Sequence, residues 1–597
     1  MGSSMTEPVQ WLSDGMPHSP RFDDIYRSAT GGLLQARHVF LAGCALPQAW
    51  AGTRQWCILE TGFGLGLNFL AAWQAWRDDP ERPQMLHFVS VEAWPVAAAD
   101  LLRSAAAHPE IEPLAQALVA QWTEHSTQGA PEAGTHRMRF EQGRVLLTLH
   151  VRDVQQAFRR EPFTADSVFL DGFDPERNPV MWELQTLKSV ARHCRRGSRV
   201  ATWTAAGHVR RDLIACGFVI GKAEGLPPKR HRLEGVFAPS WEPKTRKPFT
   251  PVSPGHCAVI GAGLAGAAAA ASLARRGWSV TVLDAATAPA AAASGLPVGM
   301  IAPHHTLDDS LLSRLCRAGV RASLQQAREL LHEGQDWAAT GVMERRVATG
   351  QADAAWHLHA PAGWIKPAKL VQAWLQQAQV QWLGGVFVGG LAREAGQWAV
   401  LDSADQELIR ADLVVVAAAC GSGLLMPPDA MQLPLQPIRG QVSWGLAHAD
   451  DASMPSHALK GNGHFIGNVP HEYGQAWYCG ASFGRGETDL GPRPADHQAN
   501  LARLQVLQPE LAQQLAPRFA AGQVQAWTGV RCASRNRRPI VGEMHAGLWV
   551  STAMGSRGLS FAFLCAELIA ARLHGEPLPL ALKLADALDL ASGQRLG

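Results

Sequence analysis

Two glycine turns of different type carry the residues that could do chemistry in this chain. In the first, Glu60-Thr61-Gly62-Phe63-Gly64-Leu65-Gly66, the glycines fall at every second position and an acid precedes them. Glycine lets the backbone turn tightly against a ligand. An acid before the turn suits a cationic group better than a pyrophosphate, and S-adenosylmethionine carries both an ammonium and a sulfonium. Glu92, ending the next apolar run, could accept both ribose hydroxyls, and Asp153 could accept from an adenine amino group. In Phe169-Leu170-Asp171-Gly172-Phe173-Asp174-Pro175 the acid Asp171 precedes a tight turn. Beside a methyl donor it could orient an amine and take its proton near the transition state. The rings of Phe173 and Trp182 are candidates to hold a base. The competing reading is a glycine turn with a structural role only.

The second turn, Gly261-Ala262-Gly263-Leu264-Ala265-Gly266, is a complete G-x-G-x-x-G between an apolar run and an alanine-rich one. Asp284 ends the next run, VTVLDA, 23 residues after Gly261. That spacing fits a ribose contact, with the pyrophosphate at the helix N-terminus. It does not separate NAD from FAD. The distant Gly555-Ser556-Arg557-Gly558-Leu559, opening a final helix, favours FAD, because charge building on a flavin ring needs N–H donors. Arg531, in Thr528-Gly529-Val530-Arg531, is a candidate to bind a substrate carboxylate in bidentate fashion; its rival is a surface ion pair.

The elements that must position these groups follow from periodicity. Strands expected at 56–60, 86–92, 145–151, 167–170 and 199–202 alternate with Ala/Leu-rich helical stretches such as Val96–Ala107. The pattern predicts a mostly parallel, doubly wound α/β sheet with ligands at the carboxyl ends of its strands. Glu60, Glu92, Asp153 and Asp171 all fall at or just after such ends. A proline- and charge-rich linker over 241–255 divides a first domain, 1–240, from a second, 256–597. In the second, a βαβ unit from Ala258 to Asp284 precedes a long mixed region, so a nucleotide-binding Rossmann domain with an interleaved α+β substrate-binding subdomain is expected.

The bulk numbers agree with two domains. A chain of 597 residues exceeds what one core usually organises. A net charge of +2 advertises no global polyanion field, but local clusters could neutralise phosphates. These are Arg192, Arg195, Arg196 and Arg199; Lys229, Arg230 and Arg232; Lys244, Arg246 and Lys247; and Arg531, Arg535, Arg537 and Arg538. Solvated helix ends and a linker are the plainer explanation. Ten cysteines without C-x-x-C spacing argue against a zinc site or disulfide framework and fit a reducing cytosol. The apolar run 257–271 is too short to span a bilayer. A cytoplasmic protein without metal or membrane is expected.

Seven motifs in order resemble one family across nearly the whole chain: FDDIYRS, ETGFGLGLNFL, DGFDPERNPVMW, VIGAGLAG, SGLPVGMIAP, GVRCASRNRRPIVG and GSRGLSFAFLCAELIA. The chain resembles the MnmC family of bifunctional tRNA 5-methylaminomethyl-2-thiouridine biosynthesis proteins. The resemblance implies a C-terminal FAD domain of the amino-acid-oxidase type. That domain removes the carboxymethyl group from 5-carboxymethylaminomethyl-uridine at the tRNA wobble position. An N-terminal domain then methylates the exposed amine with S-adenosylmethionine. It also implies Asp171 as the catalytic acid, and Glu60, Thr61, Gly62, Phe63, Gly64, Gly66, Asn68, Glu92 and Asp153 around the methyl donor. Around FAD it implies Gly261, Gly263, Leu264, Gly266, Asp284, Ser294, Gly295, Met300, Gly529, Gly555, Ser556, Arg557, Gly558 and Leu559. Arg531 matches the carboxylate-binding arginine, the partner implied is tRNA at its anticodon wobble uridine, and a monomer is expected. The chain departs from the pattern at Asn536, often Asp, at Asp284, commonly Glu, and over Gly225–His231. Two other readings remain at this point: a small-molecule amine oxidase fused to an unrelated methyltransferase, and a non-catalytic tRNA-binding protein.

Overall fold

The structure is a computed structural model that describes residues 6–126, 129–159, 161–241, 251–346, 355–427, 432–448 and 454–589. It divides into two compact units. Unit 1 is Met1–Val252 together with Ala571–Leu582, and unit 2 is Ser253–Ala570 together with Lys583–Gly597. Residues 242–250 of the expected linker, with Lys244, Arg246 and Lys247, lie outside the described residues. The sequence alone assigns Ala571–Leu582 to the second domain, whereas the structure groups it with the first.

Unit 1 is built on β1 (Gln55–Glu60), α1 (Leu67–Asp78), β2 (Met85–Glu92), β3 (Gly134–Phe140), β4 (Val145–Val151), β5 (Ala165–Phe169), β6 (Cys194–Thr202), β7 (Phe218–Glu224) and β8 (His231–Phe237). The sheet order is β7-β8-β6-β5-β1-β2-β4-β3. The central pairs β4–β2, β2–β1, β1–β5 and β5–β6 are parallel. The edge strands β3, β7 and β8 run antiparallel and were not expected from the sequence. Both faces of the sheet are covered, which is why the central strands read as continuous apolar runs. Alternate residues of β1 serve opposite cores: Ile58 packs with Phe69 and Leu70 of α1, while Cys57 and Leu59 pack with Trp182 and Leu187 on the other side. The chain crosses from one half of the sheet to the other between β1 and β5, so the crevice at their carboxyl ends is the topological switch point.

Unit 2 holds two main sheets. The first uses β9 (His256–Ile260), β10 (Ser279–Asp284), β13 (Val380–Gly384), β14 (Leu413–Val416), β20 (Ile540–His545) and β21 (Leu548–Thr552) in the order β13-β10-β9-β14-β21-β20. All its pairs are parallel except the last. Helix α2 (Leu264–Ala274) is buried at every position, and its alanines allow that close packing. The interleaved sheet includes β11 (Val342–Arg346), β12 (Ala355–His359), β15 (Leu435–Leu446), β16 (Ala458–Gly461), β17 (Gly463–His471), β18 (Gly474–Gly480) and β19 (Gln525–Ser534). Strand β19 pairs antiparallel with β15 from Leu435↔Ser534 to Trp444↔Gln525, which places Arg531 opposite Ile438. No helix among the described residues is long and apolar enough to cross a membrane.

Candidate functional site

At the switch point of unit 1 a cavity of about 440 Å³ opens between the ends of β1, β2 and β5. Thr61, Gly62, Phe63, Gly64, Asn68, Glu92, Asp153, Asp171 and Phe173 all line it. Gly64 and Gly66 adopt positive φ of 50° and 73°, which the turn from β1 into α1 requires. Thr61 Oγ1 donates to the Asp171 carbonyl at 2.8 Å and accepts from the Asp171 N–H at 3.0 Å. The two turns are thereby pinned together. A Cβ on Gly62 would lie 3.2 Å from that same carbonyl, so a side chain there would press on Asp171.

The Asp171 carboxylate accepts from Asn68 Nδ2 at 2.8 Å and from the Gly172 N–H at 2.9 Å. Burial outweighs these donors and pushes its pKa up to about 6. Glu92 accepts the N–H groups of Gly64 and Trp94, both at 3.0 Å, and burial raises it to about 7. Asp153 caps a short helical turn by accepting from the Gln155 N–H at 2.9 Å. Phe173 stacks on Phe22 with centroids 4.8 Å apart and meets Tyr26 edge-on at 5.0 Å.

Three expected members of this site are elsewhere. Glu60 is 1% exposed and absent from the cavity wall. Being on the same face of β1 as Ile58, it points beneath α1, where it accepts from Asn68 Nδ2 at 2.9 Å and Ser90 Oγ at 2.6 Å. Burial lifts its pKa to about 8 in the site without donor, which suits a neutral internal acceptor. Gly66 does not face the cavity; it is the left-handed N-cap of α1. Trp182 is 2% exposed within the core and donates to the Phe173 carbonyl at 2.8 Å, so it supports the Phe173 turn and cannot hold a base.

The cavity also has walls to which the sequence assigned no part in holding the donor or the amine. Lys229 reaches it from the stretch after β7, with Nζ 3.3 Å from the Trp203 ring centre. Trp203 Nε1 donates to the Gly172 carbonyl at 3.1 Å. Tyr26 belongs to the FDDIYRS motif, which marked the region but gave the residue no role.

Unit 2 contains a larger cavity of about 910 Å³. Gly261, Gly263, Leu264, Asp284, Ser294, Met300, Gly529, Arg531, Gly555, Ser556, Arg557, Gly558 and Leu559 line it. Asp284 accepts from the Ala262 and Ala286 N–H groups at 2.7 and 2.8 Å. Gly261 has φ of 109°, and a Cβ there would meet the Ala417 carbonyl at 2.6 Å. A Cβ on Gly263 would meet Ser294 Oγ at 3.0 Å. This bare-backbone cradle at the start of α2, with an acid at the end of β10, fits a dinucleotide such as FAD. Gly266 and Gly295 do not line the cavity. A Cβ on Gly266 would lie 1.8 Å from the Gly261 carbonyl, and one on Gly295 2.6 Å from the Ala290 carbonyl. Both glycines serve backbone packing.

Arg531 stands on the cavity wall with one hydrogen bond, to the Ser482 carbonyl at 3.3 Å, and with Phe483 4.7 Å from its guanidinium carbon. No carboxylate pairs with it among the described residues, and burial lowers its pKa to about 10. A half-buried cation without an anion is a ready site for one. His464 shares this wall. Burial and the Arg531 charge lower its pKa to about 4, so it is neutral at physiological pH. Neither the glycine spacing nor a motif pointed to it.

The family model described as S-adenosyl-L-methionine-dependent methyltransferase matches residues 109–238. That described as FAD dependent oxidoreductase matches 256–344 and 322–572. The chain is 52% identical to the tRNA 5-methylaminomethyl-2-thiouridine biosynthesis bifunctional protein MnmC of Polaromonas naphthalenivorans (strain CJ2), over 98% of each chain. It is 51% identical to the protein of the same name from Polaromonas sp. (strain JS666 / ATCC BAA-500), over 99% of each. Among solved structures, glycine oxidase from Geobacillus kaustophilus is similar with a TM-score of 0.46 at 17% identity, over 55% of this chain and 96% of that one. With a methyltransferase match before the linker and an FAD oxidoreductase match after it, and relatives of one name along its full length, the chain belongs to the MnmC family of bifunctional tRNA-modifying enzymes.

Proposed function

We propose that the chain converts 5-carboxymethylaminomethyl-(2-thio)uridine at the tRNA wobble position into 5-methylaminomethyl-(2-thio)uridine, in two steps performed by its two units. The observation that carries this reading is a matched pair of cavities. One exposes a carboxylate tuned to take a proton, and the other a guanidinium without an anion.

In unit 2, Arg531 binds the substrate carboxylate and so fixes the carboxymethyl arm. Gly261, Gly263, Asp284 and the 555–559 turn hold FAD, which supplies the two-electron oxidation of the C–N bond. Neutral His464 beside Arg531 adds no positive charge against the amine, which must be uncharged to be oxidised. Oxidation of a secondary amine followed by hydrolysis leaves a primary amine, and that is the nucleophile unit 1 requires. In unit 1, Asp171 accepts a proton from the amine so that its lone pair can take the methyl group of S-adenosylmethionine. Glu92 and Asp153 provide acceptors for the ribose and adenine of that donor. The uracil would rest against Phe173, whose ring Phe22 and Tyr26 hold in place. Ten free cysteines agree with a reducing, cytoplasmic setting.

The test is mass spectrometry of wobble nucleosides after incubation with tRNA carrying the carboxymethylaminomethyl group. Aminomethyl-uridine is expected without S-adenosylmethionine and methylaminomethyl-uridine with it. An unchanged nucleoside from folded, flavin-loaded protein would discard the reading.

A further inference from the structure

We infer that Asn68 and Glu60 are positioning residues for Asp171, and that Glu60 acts on the methyl-transfer site only through Asn68. The inference rests on the reading of Asp171 as the group that receives the amine proton.

The geometry is a chain of four side chains. Ser90 Oγ donates to Glu60 Oε2 at 2.6 Å, and Asn68 Nδ2 donates to Glu60 Oε1 at 2.9 Å and to Asp171 Oδ2 at 2.8 Å. An amide nitrogen has two hydrogens, and here each meets one carboxyl group. The reverse orientation would aim the amide oxygen at the Asp171 carboxylate, so the chemistry fixes which end of Asn68 faces inward. Ser90 and Glu60 are 0% and 1% exposed, whereas Asn68 and Asp171 line the cavity. Glu60 therefore lies behind Asn68 as seen from the ligand.

This arrangement gives Asp171 a definite aim. Its backbone is gripped by Thr61, one carboxylate oxygen by the Gly172 N–H and the other by Asn68. Each oxygen keeps lone-pair capacity for the incoming amine. Asn68 can hold its side of that grip only if its own rotamer is fixed, and the second N–H, anchored on Glu60, fixes it. Burial keeps Glu60 protonated well into the neutral range, so the anchor adds no negative charge beside the base. The N–H of Asn68 also draws the Asp171 pKa down against the pull of burial, so losing it moves the base's titration upward.

The experiment uses the intact, flavin-loaded chain with Asn68→Ala, Glu60→Ala, Glu60→Gln and Asp171→Asn. It reads kcat for methyl transfer across pH, the Kd of S-adenosylmethionine and the oxidase rate. Asn68→Ala should lower methyl-transfer kcat roughly 10- to 100-fold, the loss of one hydrogen bond to a charged group. Its acid limb should move to higher pH, with the donor Kd changed less than about threefold and oxidation unaffected. Glu60→Ala, which removes the acceptor that anchors Asn68, should lower methyl-transfer kcat and move the acid limb in the same direction as Asn68→Ala, and Glu60→Gln, which restores a neutral acceptor, should recover both, with donor affinity within about threefold throughout. A rise of about tenfold or more in donor Kd for variants of either residue, with an unmoved pH profile, would overturn the inference and return both residues to donor binding. Should Asn68→Ala fail to fold, Glu60→Ala with its Glu60→Gln rescue decides alone: an unchanged kcat and pH profile in folded Glu60→Ala would overturn the inference. Asp171→Asn separates the levels: if that variant still methylates, the reading of Asp171 is what fails.

Discussion

Replacing Arg531 with Met should slow oxidation of the carboxylate-bearing substrate by roughly two to three orders of magnitude, on the order of the 3–5 kcal/mol of two charge-assisted hydrogen bonds, without weakening the fold. The pKa of Arg531 falls to about 10 because burial disfavours its charge, a desolvation penalty on the order of 3 kcal/mol. The sign follows from linkage. At neutral pH the side chain lies below both its folded and unfolded values, so it stays charged and the penalty is fully present, unchanged between pH 5 and 9. Methionine removes that penalty and keeps an apolar stem. What is lost is one hydrogen bond of 3.3 Å to Ser482 and the contact with Phe483, about 1 kcal/mol each. The balance is near +1 kcal/mol, so the melting temperature of unit 2 should hold or rise by about 1–3 °C. Substrate recognition moves the other way. Two charge-assisted hydrogen bonds to a carboxylate are worth roughly 3–5 kcal/mol, or about 150- to 5,000-fold in kcat/KM. The assay pairs thermal melting of the flavin-loaded protein with nucleoside analysis of tRNA bearing either the carboxymethylaminomethyl group or an analogue with the carboxylate replaced by a primary amide. A melting temperature lowered by more than about 3 °C, a loss below about tenfold, or equal losses on both substrates would refute the reasoning.

Three further outcomes follow from the structure. The carboxyls of Glu60, Glu92 and Asp171 have pKa values raised to about 8, 7 and 6. Burial also holds His150 and His193 neutral in the fold, which opposes this trend once unfolded histidine begins to protonate, so the native state binds more protons than the unfolded chain between about pH 7 and 8, and unit 1 free of donor should grow more stable as pH falls through that window; melting curves that are flat or rise with pH there would contradict it. Gly266→Ala places a methyl 1.8 Å from the Gly261 carbonyl and should cost more than about 3 kcal/mol, read as loss of retained flavin absorbance, whereas a yellow protein of normal stability would show that α2 can shift to make room. Leu578 and Leu580 are 3% and 1% exposed in the distal segment that belongs to unit 1; replacing both with Asp should lower the stability of unit 1 by roughly 4 kcal/mol or more, with S-adenosylmethionine binding lost and unchanged donor affinity as the contrary result.

What was legible in the sequence was whatever depends on chain order along a strand. Gly261, Gly263 and Asp284 could be placed because a parallel βαβ unit always delivers a turn and the next strand's end to one crevice. Glu92, Asp153 and Asp171 reached the first cavity for the same reason. What depends on which face of an element a side chain occupies was not legible. Glu60 ends its strand where a ligand-binding acid would, yet the two-residue alternation sends it beneath α1. Gly66, Gly266 and Gly295 carry the motif signature, but a Cβ on Gly66 would meet the Phe63 ring at 3.2 Å and one on Gly266 or Gly295 a backbone carbonyl, so their absent side chains serve packing and not a ligand. Trp182 sits in a motif and belongs to the core. His464 reaches its cavity from within β17, and Lys229, marked only as part of a basic cluster, from the stretch after β7, with no spacing rule to assign either a role there. The antiparallel β7–β8 hairpin is polar enough on its outer face to break the apolar pattern used to find strands.

The grouping of Ala571–Leu582 with unit 1 has a consequence for how the protein is made. Some 318 residues of unit 2 separate Val252 from that segment. At about 5–20 residues per second, unit 1 leaves the ribosome lacking its last piece for something on the order of 15–60 seconds. During that interval the sites later covered by Glu576, Leu578 and Leu580 stay open to water and to other chains. Unit 1 can therefore close its core only after all of Ser253–Ala570 has been made. A gene split at the linker would leave it permanently in that unfinished state.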